Sequence, residues 1–438
     1  MDQTEALIIE TIDRHREEIL EFARDIYSHA ELGYKEFQTS GKFVKKMEQL
    51  GLRTEKGFAI TGVKAYLNKD KKENASLALL GELDALRIPE HAFANPETNA
   101  AHCCGHHAQM AGVFGAALAL TVPEIAEKLD GQVVFFATPA EEYGEIEFKN
   151  QLREQGKIRY GGGKCELLRI GAFDDIDLCL THHIRPGNEI LVGSGTGNGF
   201  VSKVIRVLGK ASHAAGAPEK GVNALSAASL GLQALGLNRE TFRDEDCVRV
   251  HPIITKGGNL VNVIPDEVVV ETLVRGKTIE AFTDAAKKTD RSFKAGAIAM
   301  GAKVEISTLP GYVPTLAEEA LPELKHAAEI SASGIPVIEA SGHAGGSTDV
   351  GDVQHLMPVY TFNTGGVKGG LHQIDFEVTD EEEAYIVTAK MFALAAYGLL
   401  KEKAQRSREL VDQYEPVFKN SAEYVEFMEQ FDSKEIFE

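Results

Sequence analysis

Apolar residues recur at helical spacing through residues 4–28, where Ile8, Ile12, Ile19, Phe22 and Ile26 are separated by charged positions. That spacing predicts one long amphipathic helix. A second helix is predicted over 39–50 through Phe43, Met47 and Leu50, with Gly51 placed to end it. The period then changes. Residues 63–67 and 77–83 read as strands, and the run Leu77-Ala78-Leu79-Leu80 is nearly continuous in apolar character, as a strand covered on both faces should be. An Ala- and Gly-rich stretch from about 108 to 120 predicts a helix packed closely on a sheet. Strands of the same buried type come next at 132–137 and 177–180.

Beyond residue 197 the order is strand 201–207, helix 222–235, strands 248–255 and 267–274, helix 278–300 and strand 303–308. This β-α-β-β-α-β order is that of a ferredoxin-like α+β unit, here an insertion of roughly 115 residues. The earlier α/β pattern resumes near Pro314, with a helix from about 318, strands at 336–339 and 359–362, a Gly-rich loop to His372 and a long helix over 381–400. The predicted organisation is therefore a catalytic domain in two parts (1–195 and 312–405), an inserted domain (196–311) and a C-terminal helical extension (406–438). In that extension Tyr424, Phe427, Met428 and Phe431 form a helical stripe suited to packing or a subunit contact.

Composition narrows the function. The 438 residues are 43% apolar and 26% charged, ordinary for a globular chain with ample core. A formal net charge of −20 with no basic patch argues against nucleic acid as a partner. No apolar run approaches membrane-spanning length, and the acidic N-terminus lacks signal-peptide character, so no membrane is expected. Five unevenly spread cysteines argue against a disulfide framework and for a reducing, cytoplasmic setting. Gly161-Gly162-Gly163-Lys164-Cys165 is not a phosphate loop: the earlier Gly is absent and no Ser or Thr comes after the Lys.

The candidate chemistry centres on Ala101-His102-Cys103-Cys104-Gly105-His106-His107. Cys104 and His106 are two apart and leave an extended segment on one face, where thiolate and imidazole suit Zn or a neighbouring transition metal. Alone, the cluster is equally a buried vicinal cysteine pair with solvated histidines. The groups just past each buried strand tip the balance. The first strand runs into Glu82 and Asp84, the next into Glu141 and Glu142, the third into His182 and His183. In open α/β sheets ligand sites gather beyond the carboxyl ends of the strands, so these groups meet at one edge.

These residues carry a resemblance to M20-type metal-dependent amidohydrolases, over about residues 20–400. Its marks are His29-Ala30-Glu31-Leu32-Gly33, Gly81-Glu82-Leu83-Asp84-Ala85-Leu86, Cys104-Gly105-His106, Pro139-Ala140-Glu141-Glu142, Gly209-Lys210-Ala211-Ser212-His213-Ala214, Asn262-Val263-Ile264-Pro265 and Leu371-His372. The resemblance implies an exopeptidase-like catalytic domain with a mixed central sheet flanked by helices, and an inserted lid that dimerises. It implies metal ligands at Cys104, His106, Glu142, His183 and His372, holding two divalent ions, Zn or Mn, with Co or Ni open. His183 is preferred to His182 because His183-Ile184-Arg185-Pro186 matches the family's His-x-x-Pro. Glu141 is assigned as general base, its pKa raised by a neighbouring acid and partial burial. His213 is assigned to the oxyanion, Asn262 and Arg275 to the substrate's carboxylate or backbone. Arg275 also reads as a surface strand charge. Asp84 is expected behind His106 or a neighbouring ligand, or as a helix cap. His107 stands where many relatives have Asp and, like Asp84, is expected behind the ligands; if that Asp tunes a ligand in relatives, metal affinity or preference differs here.

Gly346-Ser347-Thr348-Asp349-Val350-Gly351-Asp352-Val353 and Gly161-Gly162-Gly163-Lys164 resemble the aminobenzoyl-glutamate branch. The expected activity is cleavage of an N-acyl- or N-aroyl-amino acid, a small-molecule substrate, by a homodimer formed through the inserted domain. A dipeptidase or aminopeptidase, and a non-catalytic conjugate-binding relative, are the alternatives.

Overall fold

The computed structural model describes residues 1–438 as two compact units. The first comprises 1–195, 316–342 and 353–421, and the second 196–315, 343–352 and 422–438.

In the first unit an eight-stranded mixed sheet runs in the order Arg53–Phe58, Gly62–Leu67, Gln132–Thr138, Ser76–Glu82, Leu178–Ile184, Val359–Thr364, Ile190–Val192, Val337–Glu339. Four central strands are parallel, pairing Leu80 with Phe136, Leu79 with Leu180, and His182 with Phe362. Ser76–Glu82 and Gln132–Thr138 are buried at every position, which explains their unbroken apolar runs. Helix His106–Leu120 is buried along all 15 residues. Its glycines admit a neighbouring helix: a Cβ at Gly112 or Gly115 would lie 2.5 Å from the side chain of Thr388 or Ala389.

That neighbour opens as a π-helical turn, Glu382–Val387, and continues through 388–400. It then turns left-handed at Glu402, Lys403 and Ala404 before a last helical stretch ending at Gln413. Left-handed conformation costs a non-glycine residue about 1–2 kcal/mol. The turn is held by Lys403 N donating to Asp130 Oδ2 at 2.6 Å and Ser407 Oγ donating to Leu399 O at 2.8 Å. Against the sequence expectation, Glu382–Gln413 is long and apolar enough to cross a membrane, but 89% of its apolar window is buried in the fold, as in a core helix.

The second unit is an antiparallel sheet in the order Arg249–Val250, Glu267–Gly276, Gly199–Leu208, Lys303–Tyr312, Ser433–Phe437, with Ile253–Lys256 also paired to Glu267–Gly276. Helices Ala224–Leu237 and Ile279–Met300 cover it around Ile205, Val270, Phe293 and Val304.

Three expectations need revision. Residues 4–28 form two helices, Gln3–Arg14 and Arg16–Ser28, parted at His15 (φ −95°, ψ 14°). The 248–255 stretch is two short strands. Residues 406–438 are not one helical extension. The part up to Ser421 belongs to the first unit, and the remainder joins the second through helix Ser421–Glu429 and strand Ser433–Phe437. Tyr424 OH donates to Asp352 there at 2.7 Å, and Phe431 meets the Phe282 ring at 5.5 Å.

The turn after strand Gln132–Thr138 is shaped by packing. Ala140 is left-handed (φ 49°), its N–H donates to Glu36 Oε1 at 2.8 Å, and its carbonyl accepts from Gly163 N at 2.9 Å. A Cβ on Gly163 would stand 1.6 Å from the Pro139 carbonyl oxygen, whereas one on Gly144 would meet nothing within 4 Å. Gly163→Ala should therefore cost about 3 kcal/mol, at the upper end for overpacking, and Gly144→Ala under about 1 kcal/mol. Urea unfolding of the two variants tests this contrast.

Candidate metal centre

The carboxyl ends of the parallel strands deliver the candidate groups to one place. Strand Ser76–Glu82 ends on Glu82, with Asp84 just beyond, and strand Leu178–Ile184 carries His183. The turn after Gln132–Thr138 carries Glu141 and Glu142. Cys104 precedes helix His106–Leu120, which Gly105 opens in the left-handed region (φ 86°). A Cβ at Gly105 would also collide with Ile184 at 2.0 Å. His372, left-handed at φ 63°, is tied down by its N–H donating to Cys103 O at 2.9 Å.

The five expected ligands converge. Cys104 Sγ lies 3.3 Å from His183 Nε2 and 3.2 Å from His372 Nε2. Glu142 Oε1 is 3.1 Å from His372 Nε2. Ligand-capable atoms lie within 4.8 Å of one another in three groups: Cys104, His106 and His183; Cys104, Glu142 and His372; and Glu82, His106 and Glu141. Glu141 Oε2 stands 3.8 Å from His106 Nε2. Asp84 touches both sides of the site. Its backbone carbonyl lies 2.9 Å from His106 Nδ1, its Oδ1 3.3 Å from that nitrogen, and its Oδ2 accepts from Glu142 N at 2.9 Å.

Donor chemistry fits a cation. His183 Nδ1 donates to the Ile184 carbonyl at 2.7 Å, which leaves a lone pair on Nε2 facing the Cys104 sulfur. His106 Nδ1 donates to the Asp84 carbonyl, so its Nε2 lone pair faces Glu82 at 3.1 Å. His106 Nε2 is a buried atom with no hydrogen-bond partner, and buried Glu142 Oε1 has only the His372 ring nitrogen beside it. Lone pairs facing lone pairs in a buried space need either protons or a metal ion between them. With protons alone, burial and the Glu142 charge push the Cys104 thiol well up. Burial opposes a charged His106, yet Glu82 and Cys104 outweigh it and raise that ring well above its usual value. Burial and His106 lower His183, keeping it a neutral imidazole.

Sequence reasoning did not assign roles to Glu82, Lys164 or Gln109. Lys164, fully buried, pairs with Glu82 at 2.5 Å, and Gln109 Nε2 donates to Glu82 Oε2 at 2.8 Å. Burial would raise Glu82, but Lys164 and His106 overcome it and hold the carboxylate ionised. The signal lay in the Gly161–Lys164 run. Gly163 seats the loop bearing Glu141, and the adjacent lysine reaches across to Glu82.

His107 touches no ligand side chain. Its Nε2 lies 3.1 Å from Tyr385 OH and its ring packs on Tyr27. His182 is a buried strand histidine, 2.8 Å from Thr364 Oγ1.

His213, Asn262 and Arg275 belong to the second unit. His213 Nδ1 accepts from Ala215 N and Gly216 N at 3.2 and 2.9 Å, so its proton sits on Nε2 as a donor. Asn262 is its neighbour, since Asn262 O accepts from Ala214 N at 3.0 Å. Arg275 is held by Nη1 donating to Ser347 Oγ at 2.9 Å, with its guanidinium 5.5 Å from the Phe200 ring centre. In the strand register Arg275 pairs with Phe200, whereas the His213 loop leaves the far end of that strand, where Leu208 pairs with Glu267. Eight residues of strand put the two ends about 27 Å apart.

A family model described as Peptidase family M20/M25/M40 matches residues 78–397. The chain is 27% identical over 408 residues to the Xaa-Arg dipeptidase of Mus musculus, spanning 90% of this chain and 85% of that one. It is 27% identical over 315 residues to one of the subunits of p-aminobenzoyl-glutamate hydrolase from Escherichia coli (strain K12), spanning 70% of this chain and 60% of that one. The fold is shared with a dinuclear metal-binding peptidase of the M20 family from Bacillus subtilis, at a TM-score of 0.62 and 23% identity over 89% of this chain and 99% of that one. With the match running from the strand that ends on Glu82 to the long closing helix, the chain belongs to peptidase family M20/M25/M40 and is a metal-dependent amidohydrolase or peptidase.

Proposed function

We propose that the chain hydrolyses the amide bond of an N-acyl- or N-aroyl-amino acid of the aminobenzoyl-glutamate kind, releasing a carboxylic acid and a free amino acid. The observation that carries this reading is Glu141, buried and 3.8 Å from His106 Nε2, beside a thiol, three imidazoles and a carboxylate that converge. Cys104, His106, Glu142, His183 and His372 would hold two divalent ions, Zn or Mn with Co or Ni as further candidates, whose Lewis acidity polarises the carbonyl and acidifies the attacking water. Glu141 takes the proton of that water as the new C–O bond forms and hands it to the departing nitrogen as the C–N bond breaks. Asp84 steadies His106 and the Glu142 backbone while the proton moves. His107 leaves the ligand shell without the carboxylate that many relatives have at this position.

His213 donates from Nε2 to the oxyanion, with Asn262 beside it, and Arg275 receives the substrate carboxylate. The strand length separating His213 from Arg275 supports a site that takes them from two copies. A homodimer through the second unit, a ferredoxin-like lid, also accounts for its uncovered apolar side chains: Leu230 and Leu237 on one helix, and Ile253 and Ile254 on an edge strand. Five free thiols support residence in a reducing compartment such as the cytoplasm. A dipeptidase is the second reading, favoured by the similarity to the Xaa-Arg dipeptidase over 90% of this chain. Competition between an N-aroyl-glutamate and a free-amine dipeptide such as Ala-Arg separates the two, and preference for the dipeptide overturns the first.

Glu141→Gln should lower kcat by about 10³-fold while metal content, measured by mass spectrometry, stays unchanged. A variant within tenfold of wild type removes Glu141 from its role. Chelation should abolish hydrolysis and lower the thermal midpoint, with Zn or Mn restoring both. Light scattering should give twice 47.6 kDa. Mixing His213→Ala with Arg275→Ala chains should recover roughly a quarter of wild-type activity, since half the dimers then hold one intact site. No recovery on mixing would leave His213 and Arg275 outside a shared site.

A further inference from the structure

At the amino end of strand Val359–Thr364, away from the candidate metal centre at its neighbour's carboxyl end, lies a pocket of about 310 Å³. Its walls come from the first unit alone: the segment 316–322, the strand start at 358–360, and the helix beyond the left-handed turn at 402–404. The volume is at the small end of ordinary ligand pockets.

Its chemistry is lopsided. Glu318 lines the pocket and takes hydrogen bonds from Thr361 N and, at 3.3 Å, from Gln354 Nε2. No lysine, arginine or histidine comes within ion-pair distance of its carboxyl group. Arg406 also lines the pocket, but its charge is already met by Glu323 at 2.9 Å and Glu409 at 3.7 Å. Tyr360 and Tyr414 add two aromatic walls, and Leu321 and Leu410 apolar ones. A carboxyl group without a counter-charge, among aromatic and aliphatic surfaces, is the environment that a small organic cation completes.

We propose that this pocket is a second ligand site, taking a small alkylammonium or alkylguanidinium ion with its charge on Glu318 and its hydrocarbon body between Tyr360, Tyr414, Leu321 and Leu410. Nothing in the proposal depends on which amide the metal centre cleaves.

Burial holds the Glu318 carboxyl at about 8 despite the donors from Thr361 and Gln354. The other titratable groups around it are Tyr360, Tyr414, Arg406, Glu319 and Glu323. At pH 7 the unliganded pocket is therefore mostly protonated. A cation that needs the carboxylate must expel that proton. Affinity should rise about tenfold per pH unit below 8 and level off above it, with about 0.9 proton released per cation at pH 7.

Calorimetric titration of the metal-loaded protein with n-butylammonium and n-butylguanidinium chloride, in phosphate and in HEPES, reads both affinity and proton release. We expect one saturable site, binding at least about tenfold tighter than the neutral 1-butanol, and a buffer-dependent heat. Glu318→Gln keeps the acceptor for Thr361 N, so it should fold, hydrolyse substrate as wild type does, and lose at least about tenfold in cation affinity. Tyr360→Leu should weaken the cation by about 3–10-fold. The proposal is overturned if neither cation saturates below 50 mM (about 2 kcal/mol of affinity), if butanol binds as well, or if affinity is flat from pH 6 to 8. Equal binding by wild type and Glu318→Gln overturns it too. Should Glu318→Gln fail to fold, the wild-type pH profile and Tyr360→Leu decide the matter.

Discussion

Electron-pair donors crowded around one buried sulfur set the terms for the first unit. Cys104 Sγ, with His183 and His372 Nε2 within 3.3 Å of it, and Glu142 bridging to His372, cannot share that space as bare lone pairs. A cation relieves the repulsion, and without one protons must, so the Cys104 thiol and the His106 ring hold theirs well above their usual ranges. The surrounding architecture reads as the scaffolding for this arrangement. Parallel strands bring the groups to one edge, Gly105 turns the chain without a Cβ that would strike Ile184, and Gly163 packs under the Pro139 carbonyl so that Glu141 and Glu142 both face inward.

The Lys164–Glu82 pair extends the same logic outward. An ionised carboxylate with almost no solvent contact is costly unless paired and hydrogen-bonded. Lys164 and Gln109 meet both conditions, and Glu82 is thereby available to face His106 as an anion. A buried lysine placed straight after three glycines thus links the helix at 163–169 to the charge state of the centre.

The parallel strands were legible in the sequence because burial on both faces leaves unbroken apolar runs, and the groups straight after such runs have one edge to go to. The full set of five converging side chains came only through the resemblance to M20-type amidohydrolases, His372 above all, since it follows a Gly-rich loop and not a buried strand. Less was legible where tertiary contacts decide. Nothing in the periodicity of 4–28 marks the break at His15, since the apolar stripe continues in phase across it. Strand Ser433–Phe437 is mostly exposed, so it has no alternating pattern to betray it. Lys164 looked like part of a failed phosphate motif, because its partner lies 82 residues away in the chain. The resemblance gave Asn262 and Arg275 the same task, the substrate's carboxylate or backbone. Only the strand register separates them, grouping Asn262 with His213 instead.

Strand Ser433–Phe437 carries a consequence for biogenesis. It forms ladder bonds with residues 304–308, about 130 positions earlier in the chain. While a ribosome is still translating the intervening segment, strand Lys303–Tyr312 has an unpaired edge, the kind that recruits foreign strands. Nascent chains therefore pass through a sticky interval that ends when residues 433–437 emerge, and chaperone demand should concentrate in that interval.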